Sequence, residues 1–175
     1  MIVLDACMII SFGNAGRFDL IDTLRLDRIC VSARARTEVA RDPARAAMEA
    51  SIAAGRLCVE SIDVENPAEQ KALQGYDARP AFRGRGDAEV LALAASREYI
   101  VASDERAIRT TVIAEWGPSR LAGTADFIIW AVREGRLGAA DAEEVLSQLD
   151  SGTRVLAQLK REGRTLRDLL KGSGT

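Results

Sequence analysis

The sequence of 175 residues contains no histidine. Without an imidazole side chain there is no Ser-His-Asp triad, no Cys-His dyad, no zinc site with histidine ligands and no imidazole acid–base catalysis. Any chemistry must therefore come from carboxylates, cysteines, lysines or hydroxyls. Acidic and basic residues nearly balance, with a net charge of −2, which excludes a histone-like basic protein but leaves room for a local basic patch.

The sequence also lacks long hydrophobic runs. No apolar stretch approaches the roughly 18 residues of a membrane span, and the first residues, Met-Ile-Val-Leu-Asp, lack the basic region of a secretory signal. A hydrophobic share of 47% is typical of a globular protein. We therefore expect a cytoplasmic protein with one compact domain and at most a small second lobe.

Cysteines are few and odd in number: Cys7, Cys30 and Cys58. Each lies in an apolar stretch, so we expect small buried thiols in a reducing compartment. A nucleophilic Cys7 beside Asp5 is the alternative, but the sequence offers no histidine and no nearby base to activate it.

Short apolar runs alternate with longer amphipathic stretches along the chain. The runs predict strands at residues 2–4, 28–31, 57–61 and 100–102. The stretches predict helices at residues 18–24, 33–41, 44–54, 65–75, from 87, from 105, 124–134, 139–149 and 153–170. This alternation favours an α/β fold with a parallel central sheet and helices on both faces. In such folds the ligand site lies outside the carboxyl ends of the strands.

Four acidic residues draw attention because of that rule. Asp5 and Asp104 directly follow the first and fourth strands, Asp87 opens the helix before the fourth strand, and Glu38 lies in the helix after the second. They are far apart in sequence, so only the fold could bring them together. Each also has a purely structural explanation: Asp87 suits a helix N-cap, and Glu38 suits an exposed ion pair.

Four segments, in order along the chain, resemble the PIN-domain ribonucleases, especially the bacterial and archaeal toxins of the VapC-like kind. These are Val-Leu-Asp-Ala-Cys-Met-Ile-Ile (3–10), Val-Ser-Ala-Arg-Ala-Arg-Thr-Glu-Val-Ala (31–40), Gly-Asp-Ala-Glu-Val-Leu-Ala-Leu-Ala (86–94) and Ile-Val-Ala-Ser-Asp-Glu-Arg-Ala (100–107). The resemblance covers residues 1–138 and implies a three-layer α/β sandwich with a short parallel sheet of four to five strands. Residues 139–175 would be a helical extension packed on the same domain.

The resemblance also implies which residues act. It makes the metal-binding and catalytic acids, in chain order, Asp5, Glu38, Asp87 and Asp104. Glu89 competes with Asp87 for the third place. The two lie about 200° apart around a helix, so only one of them faces the site, and Asp87 is favoured because it directly follows Gly86.

Clustered carboxylates favour a particular metal. At about 4 Å, like charges repel by roughly 1–4 kcal/mol per pair, and a divalent cation relieves this repulsion. An all-oxygen site selects Mg²⁺, or Mn²⁺, over Zn²⁺. Metals in such a site activate water for phosphodiester hydrolysis.

RNA phosphates need cations. The candidate substrate-binding residues are Arg79, Arg83, Arg85, Arg106 and Ser103. The alternative is that these arginines only keep a loop soluble.

A toxin of this kind implies an RNA substrate, a homodimer and an antitoxin protein. The antitoxin would fit an apolar groove around Phe12, Phe18 and Leu20, although such residues also suit the core. Two other functions stay open: a PIN-like nuclease of housekeeping RNA processing, and a non-catalytic PIN-like module that binds RNA or protein.

Overall fold

Short buried strands form the centre of the molecule. The computed structural model describes residues 1–22, 24, 28–150, 152–161, 163 and 165–172. Their strands are β1 (Ile2–Leu4), β2 (Ile29–Ser32), β3 (Leu57–Glu60), β4 (Ile100–Ala102) and β5 (Leu121–Ala122). These strands form one parallel sheet in the order β3-β2-β1-β4-β5. The predicted α/β fold with a short parallel sheet is confirmed.

The register of the sheet brings its carboxyl ends level. Leu4, the last residue of the central strand β1, pairs with Val31 of β2 and Ala102 of β4. The next residue, Asp5, therefore lies at the same edge as the residues that follow β4. Strand β5 was not predicted individually, because two residues are too few to show a periodic pattern.

Helices cover the sheet. Among the described residues they are α1 (Ala6–Asn14), α2 (Asp19–Asp22), α3 (Ala33–Glu38), α4 (Ala44–Ala53), α5 (Pro67–Asp77), α6 (Gly86–Arg97), α7 (Arg106–Trp116), α8 (Thr124–Arg133), α9 (Ala142–Gln148), α10 (Gly152–Arg161) and α11 (Leu166–Gly172). Helix α6 is buried from Gly86 to Ala94. Within the described part of the chain, every helix is too short or too polar to cross a membrane.

Several helix ends test the sequence predictions. Ser32 caps α3 as its residue type suggests, and its hydroxyl accepts the N–H of Ala35 at 3.1 Å. Asp87 is not an N-cap: Arg85 holds that position and Asp87 lies in the first turn of α6. The helix predicted at 153–170 is wrong, since α10 and α11 are separate and Gly163 between them has a φ of +65°. That left-handed conformation suits glycine and ends a helix.

The apolar residues that follow β1 belong to the core. Phe12, Phe18 and Leu20 are all buried, and the ring of Phe12 packs 5.9 Å from that of Phe127 in α8. Their interpretation as core residues is confirmed, so these three side chains do not line a surface groove.

The C-terminal helices pack on α8. Helices α9, α10 and α11 each contact it, and Leu146, Leu159 and Leu166 are buried. The division of the chain at residue 138 stays a prediction, and residues 173–175 lie outside the described residues.

A glycine in α1 allows that helix to approach α4. A Cβ atom at Gly13 would lie 2.4 Å from the Cα of Ala44, whereas one at Gly75 in α5 would meet nothing within 4 Å. We expect Gly13→Ala to lower the free energy of unfolding by about 1–3 kcal/mol through overpacking. Gly75→Ala, the matched control, should raise it by up to about 1 kcal/mol because alanine favours a helix. Urea denaturation measures both, and a Gly13→Ala protein as stable as the wild type would contradict the close packing.

Candidate functional site

The first acid lies at the end of the central strand. Asp5 is only 3% exposed, and its N–H bonds to the carbonyl oxygen of Ala102 in β4 at 3.0 Å. The Ser103 hydroxyl donates to Asp5 Oδ2 at 2.8 Å. Burial raises the pKa of Asp5, and the Glu38 charge adds to that rise, while hydrogen bonds from Cys7 and Ser103 lower it. The carboxylate is thus held by two neighbouring strands in a site that disfavours its charge.

Cys7 lies beside this acid. Its Sγ is 3.6 Å from the Ser103 Oγ, and burial and the Asp5 charge raise the pKa of its thiol well above the usual range. The thiol stays protonated at neutral pH, which disfavours the nucleophilic alternative. All three cysteines are free, and Cys30 is buried, whereas Cys7 and Cys58 are only partly buried.

The second acid reaches the site from α3. Glu38 is the last residue of this helix, and its Oε1 accepts the N–H of Gly86 at 2.7 Å. Glycine is required there, because a Cβ atom at Gly86 would lie 2.9 Å from both the Cα and the N of Ala35. The close approach of α3 and α6 places Glu38 beside the residue that follows Gly86, which is Asp87.

The third acid, Asp87, is buried and has a raised pKa. Asp87 is 3% exposed, and its Oδ2 is buried with no hydrogen-bond partner among the described residues. The Nε of Arg85 approaches this oxygen to 3.2 Å. Burial, with the charges of Asp5, Glu38 and Glu105, raises the pKa of Asp87 to about 6, and Arg85 partly offsets the rise. Asp5, Glu38 and Asp87 therefore act on one another electrostatically.

The fourth predicted acid faces other partners. The Thr124 hydroxyl donates to Asp104 Oδ2, and the Thr124 N–H approaches Oδ1 at 3.3 Å. The Nη1 of Arg109 lies 3.9 Å from Oδ1. Asp104 thus sits at the expected sheet edge but bonds to the first turn of α8. Its neighbour Glu105 is among the charges that raise the pKa of Asp87.

The acids at this edge have the oxygen ligands that a divalent cation prefers. The described residues contain no cluster of three or more Asp, Glu, Cys or His side chains arranged to hold a metal ion. Repulsion between like charges opposes such a cluster in the protein alone. The donor chemistry nevertheless fits, because the neighbouring acids offer oxygen only and one buried oxygen, Asp87 Oδ2, is ion-paired with Arg85 but has no hydrogen bond among the described residues. Such oxygens suit Mg²⁺ or Mn²⁺.

The predicted substrate-binding arginines have different environments. Arg79 bonds to Glu115 at 2.7 Å and its guanidinium lies 4.5 Å from the ring centre of Tyr76. Arg83, Arg85 and Arg106 are exposed. An open groove of about 620 Å³ runs between the loop before α6 and the start of α7. It is lined by Arg79, Pro80, Ala81, Phe82, Glu105, Arg106, Ala107, Thr110 and Thr111. The structure brings Arg79 and Arg106 to this groove, whereas Arg83 and Arg85 do not line it.

Sequence reasoning missed three residues near the acids. Glu105 acts on Asp87, Arg109 faces Asp104, and Thr124, the first residue of α8, bonds to Asp104. The adjacency of Glu105 to Asp104 was a signal that could have found it. Arg109 and Thr124 carried no such signal, because their contacts depend on how α7 and α8 meet the sheet.

Comparison with known proteins finds one family. The sequence model of the family DUF3368, described as a PIN domain, matches residues 1–164. No curated protein and no solved structure gives a significant match to the chain.

The raised pKa of Asp87 makes stability depend on pH. It lies near 6 in the folded protein against an ordinary 3.8, so the folded state binds more protons than the unfolded state between these values. Stability from this group is therefore lost as the pH rises through that window. We expect Asp87→Asn to raise the stability of the metal-free protein at pH 7.5 by about 1–3 kcal/mol, and by little at pH 4.

Thermal unfolding in EDTA across pH 4–7.5 measures this difference. The control is Asp150→Asn, since the side chain of Asp150 is exposed and its removal should leave the difference from wild type near zero at every pH. An Asp87→Asn protein that is less stable than the wild type at pH 7.5 would contradict the repulsion among the buried acids.

Proposed function

The chain belongs to the PIN-domain family, whose fold is that of nucleases, and from that premise we propose that it is an Mg²⁺-dependent endoribonuclease. The observation that carries the proposal is the group of acids at the carboxyl edge of the sheet, of which Asp5 and Asp87 are buried. Burial and the charges of neighbouring acids raise the pKa of both, and Asp87 Oδ2, although ion-paired with Arg85, has no hydrogen bond among the described residues. Such a group is costly to the protein alone and useful to a cation-dependent reaction.

The acids that would hold the cation are Asp5, Glu38 and Asp87, with Asp104 at the same edge. Bound Mg²⁺ or Mn²⁺ supplies water activation and charge stabilisation at a phosphodiester. The chain's own contribution is to orient these oxygens. The Ser103 hydroxyl donates a hydrogen bond to Asp5 Oδ2, and the Gly86 N–H donates one to Glu38 Oε1. Each acid thereby keeps a defined orientation.

The substrate would enter along the groove beside the acids. Arg106 is exposed in the first turn of α7 and supplies a cation for phosphate, and Arg79 lies on the opposite wall. Exposed Arg83 and Arg85 extend this positive region along the loop before α6. Arginine suits the task because its planar guanidinium binds phosphate through two hydrogen bonds. RNA is the substrate implied by the family.

We propose further that the protein is the toxin of a toxin–antitoxin pair and forms a homodimer in the cytoplasm. The antitoxin would have to use a surface other than Phe12, Phe18 and Leu20, since these are buried. A housekeeping RNA-processing nuclease is the alternative. Growth arrest on expression, relieved by the product of an adjacent gene, supports the toxin, whereas tolerated expression supports the housekeeping enzyme.

A non-catalytic PIN-like module is the second candidate. The observation that favours it is the engagement of Asp104 by Thr124 and Arg109, together with the lack of a three-acid metal cluster among the described residues. A binding module would bind RNA without cutting it, with or without Mg²⁺.

Cleavage of total RNA separates these candidates. We expect the wild-type protein to cut RNA in Mg²⁺ or Mn²⁺ and not in EDTA. Asp5→Asn should lower the rate by at least about a hundredfold, as loss of a charge-stabilising group in an active site does, while the protein stays folded. Asp150→Asn should cut at the wild-type rate.

Different outcomes exclude different parts of the proposal. Cleavage that persists in EDTA would contradict the metal dependence, and full activity in Asp5→Asn would remove Asp5 from the site. RNA binding without cleavage under all three conditions would favour the non-catalytic module.

A further inference from the structure

Helices α3 and α6 cap each other. Glu38, at the end of α3, accepts the N–H of Gly86 at the start of α6 at 2.7 Å. In return Glu89, in the first turns of α6, accepts the N–H of Arg34 at the start of α3 through Oε2 at 2.6 Å. Each helix thus contributes one carboxylate to the N-terminal N–H groups of the other.

Each bond provides an acceptor for a backbone N–H group in the first turn of the other helix. The first N–H groups of a helix have no partner within the helix, and a carboxylate there also suits the positive end of the helix dipole. In α3 the Ser32 hydroxyl accepts the N–H of Ala35. The acceptor for the N–H of Arg34 is Glu89. Glu89 is only 5% exposed, and a buried carboxylate is costly unless it is hydrogen-bonded.

Close packing between α3 and α6 means that these two hydrogen bonds restrict the position of α3 relative to α6. A Cβ atom at Gly86 would lie 2.9 Å from the backbone of Ala35, so α3 and α6 are in backbone contact. Helix α3 spans only Ala33–Glu38. Its first residues and Glu38 are therefore less than two turns apart, and a displacement at Arg34 is carried directly to Glu38.

We propose that Glu89 is a positioning residue of the acid site, a role that rests on the function proposed above. By holding the start of α3 it sets the place of Glu38 relative to Asp87. Asp87 and Glu89 of α6 have different roles, because residues two positions apart point in different directions around a helix. Asp87 lies within the electrostatic reach of Asp5 and Glu38, whereas Glu89 accepts a hydrogen bond from the start of α3.

Three substitutions at Glu89 test this role. Glu89→Ala removes the acceptor, and Glu89→Asp keeps the charge but draws the carboxylate back by one methylene. We expect both to weaken Mn²⁺ binding by about 10–100-fold, the usual effect of losing a residue that orients a metal ligand. Glu89→Gln should stay within about threefold of wild type, because its amide oxygen accepts the same bond.

Two measurements report on the variants. Isothermal titration with Mn²⁺ gives the affinity of the folded protein. Hydrogen exchange of the metal-free protein gives the protection of the Arg34 N–H, which should fall in Glu89→Ala and Glu89→Asp and persist in Glu89→Gln. This second readout depends on neither metal nor activity.

A matched control lies elsewhere in the chain. Glu69 in α5 is 4% exposed, and its Oε2 accepts the backbone N–H of Asp63 at 2.7 Å while its Oε1 bonds to Arg97. We expect Glu69→Ala to lower the melting temperature but to leave the Mn²⁺ affinity unchanged. A general loss of stability would move Glu69→Ala and Glu89→Ala alike.

The outcomes separate this role from the proposed function. Unchanged Mn²⁺ affinity in Glu89→Ala would overturn the positioning role alone. Equal losses in Glu89→Gln and Glu89→Ala would also overturn it, because Glu89 would then act as a ligand through its charge. A wild-type protein that binds no Mn²⁺ would contradict the proposed function and this role together.

Discussion

The structure depends on burying several carboxylates close together at one edge of a parallel sheet. Asp5 and Asp87 are each only 3% exposed, and burial, with the charges of neighbouring acids, raises the pKa of both. Burial of a charge is unfavourable unless donors or opposite charges compensate it. Ser103 supplies a donor to Asp5, and Arg85 supplies an opposite charge to Asp87. The elements around the site are arranged to supply such partners.

Close backbone approach is what allows the partners to reach the acids. Gly86 brings α6 against α3, and Gly123 brings the start of α8 against Asp104, since a Cβ atom there would lie 2.7 Å from Asp104 Oδ1 and 2.9 Å from the Nη1 of Arg109. Both positions lack space for a side chain, although neither needs an unusual backbone conformation. The level register of β1 with β2 and β4 completes the arrangement, because it brings the acids to a common edge.

The acids at this edge are not equivalent. Asp5, Glu38 and Asp87 share an electrostatic environment, whereas Asp104 bonds to Thr124 and faces Arg109. The proposed cation site would therefore rest first on Asp5, Glu38 and Asp87. Asp104 would then link the site to α8, and through it to the C-terminal helices that pack there.

The α/β class, four of the five described strands and the sheet edge where Asp5 and Asp104 lie could be predicted from the amino-acid pattern, because burial patterns and strand ends are local properties of the chain. That pattern also indicated that Asp87 and Glu89 cannot share one role, since helical geometry separates them. Three features became visible only in the folded chain: Glu89 binds the start of α3, Asp104 bonds to Thr124, and α10 and α11 are separate helices. The first two depend on backbone and side-chain contacts between distant elements, which periodicity and propensity do not encode.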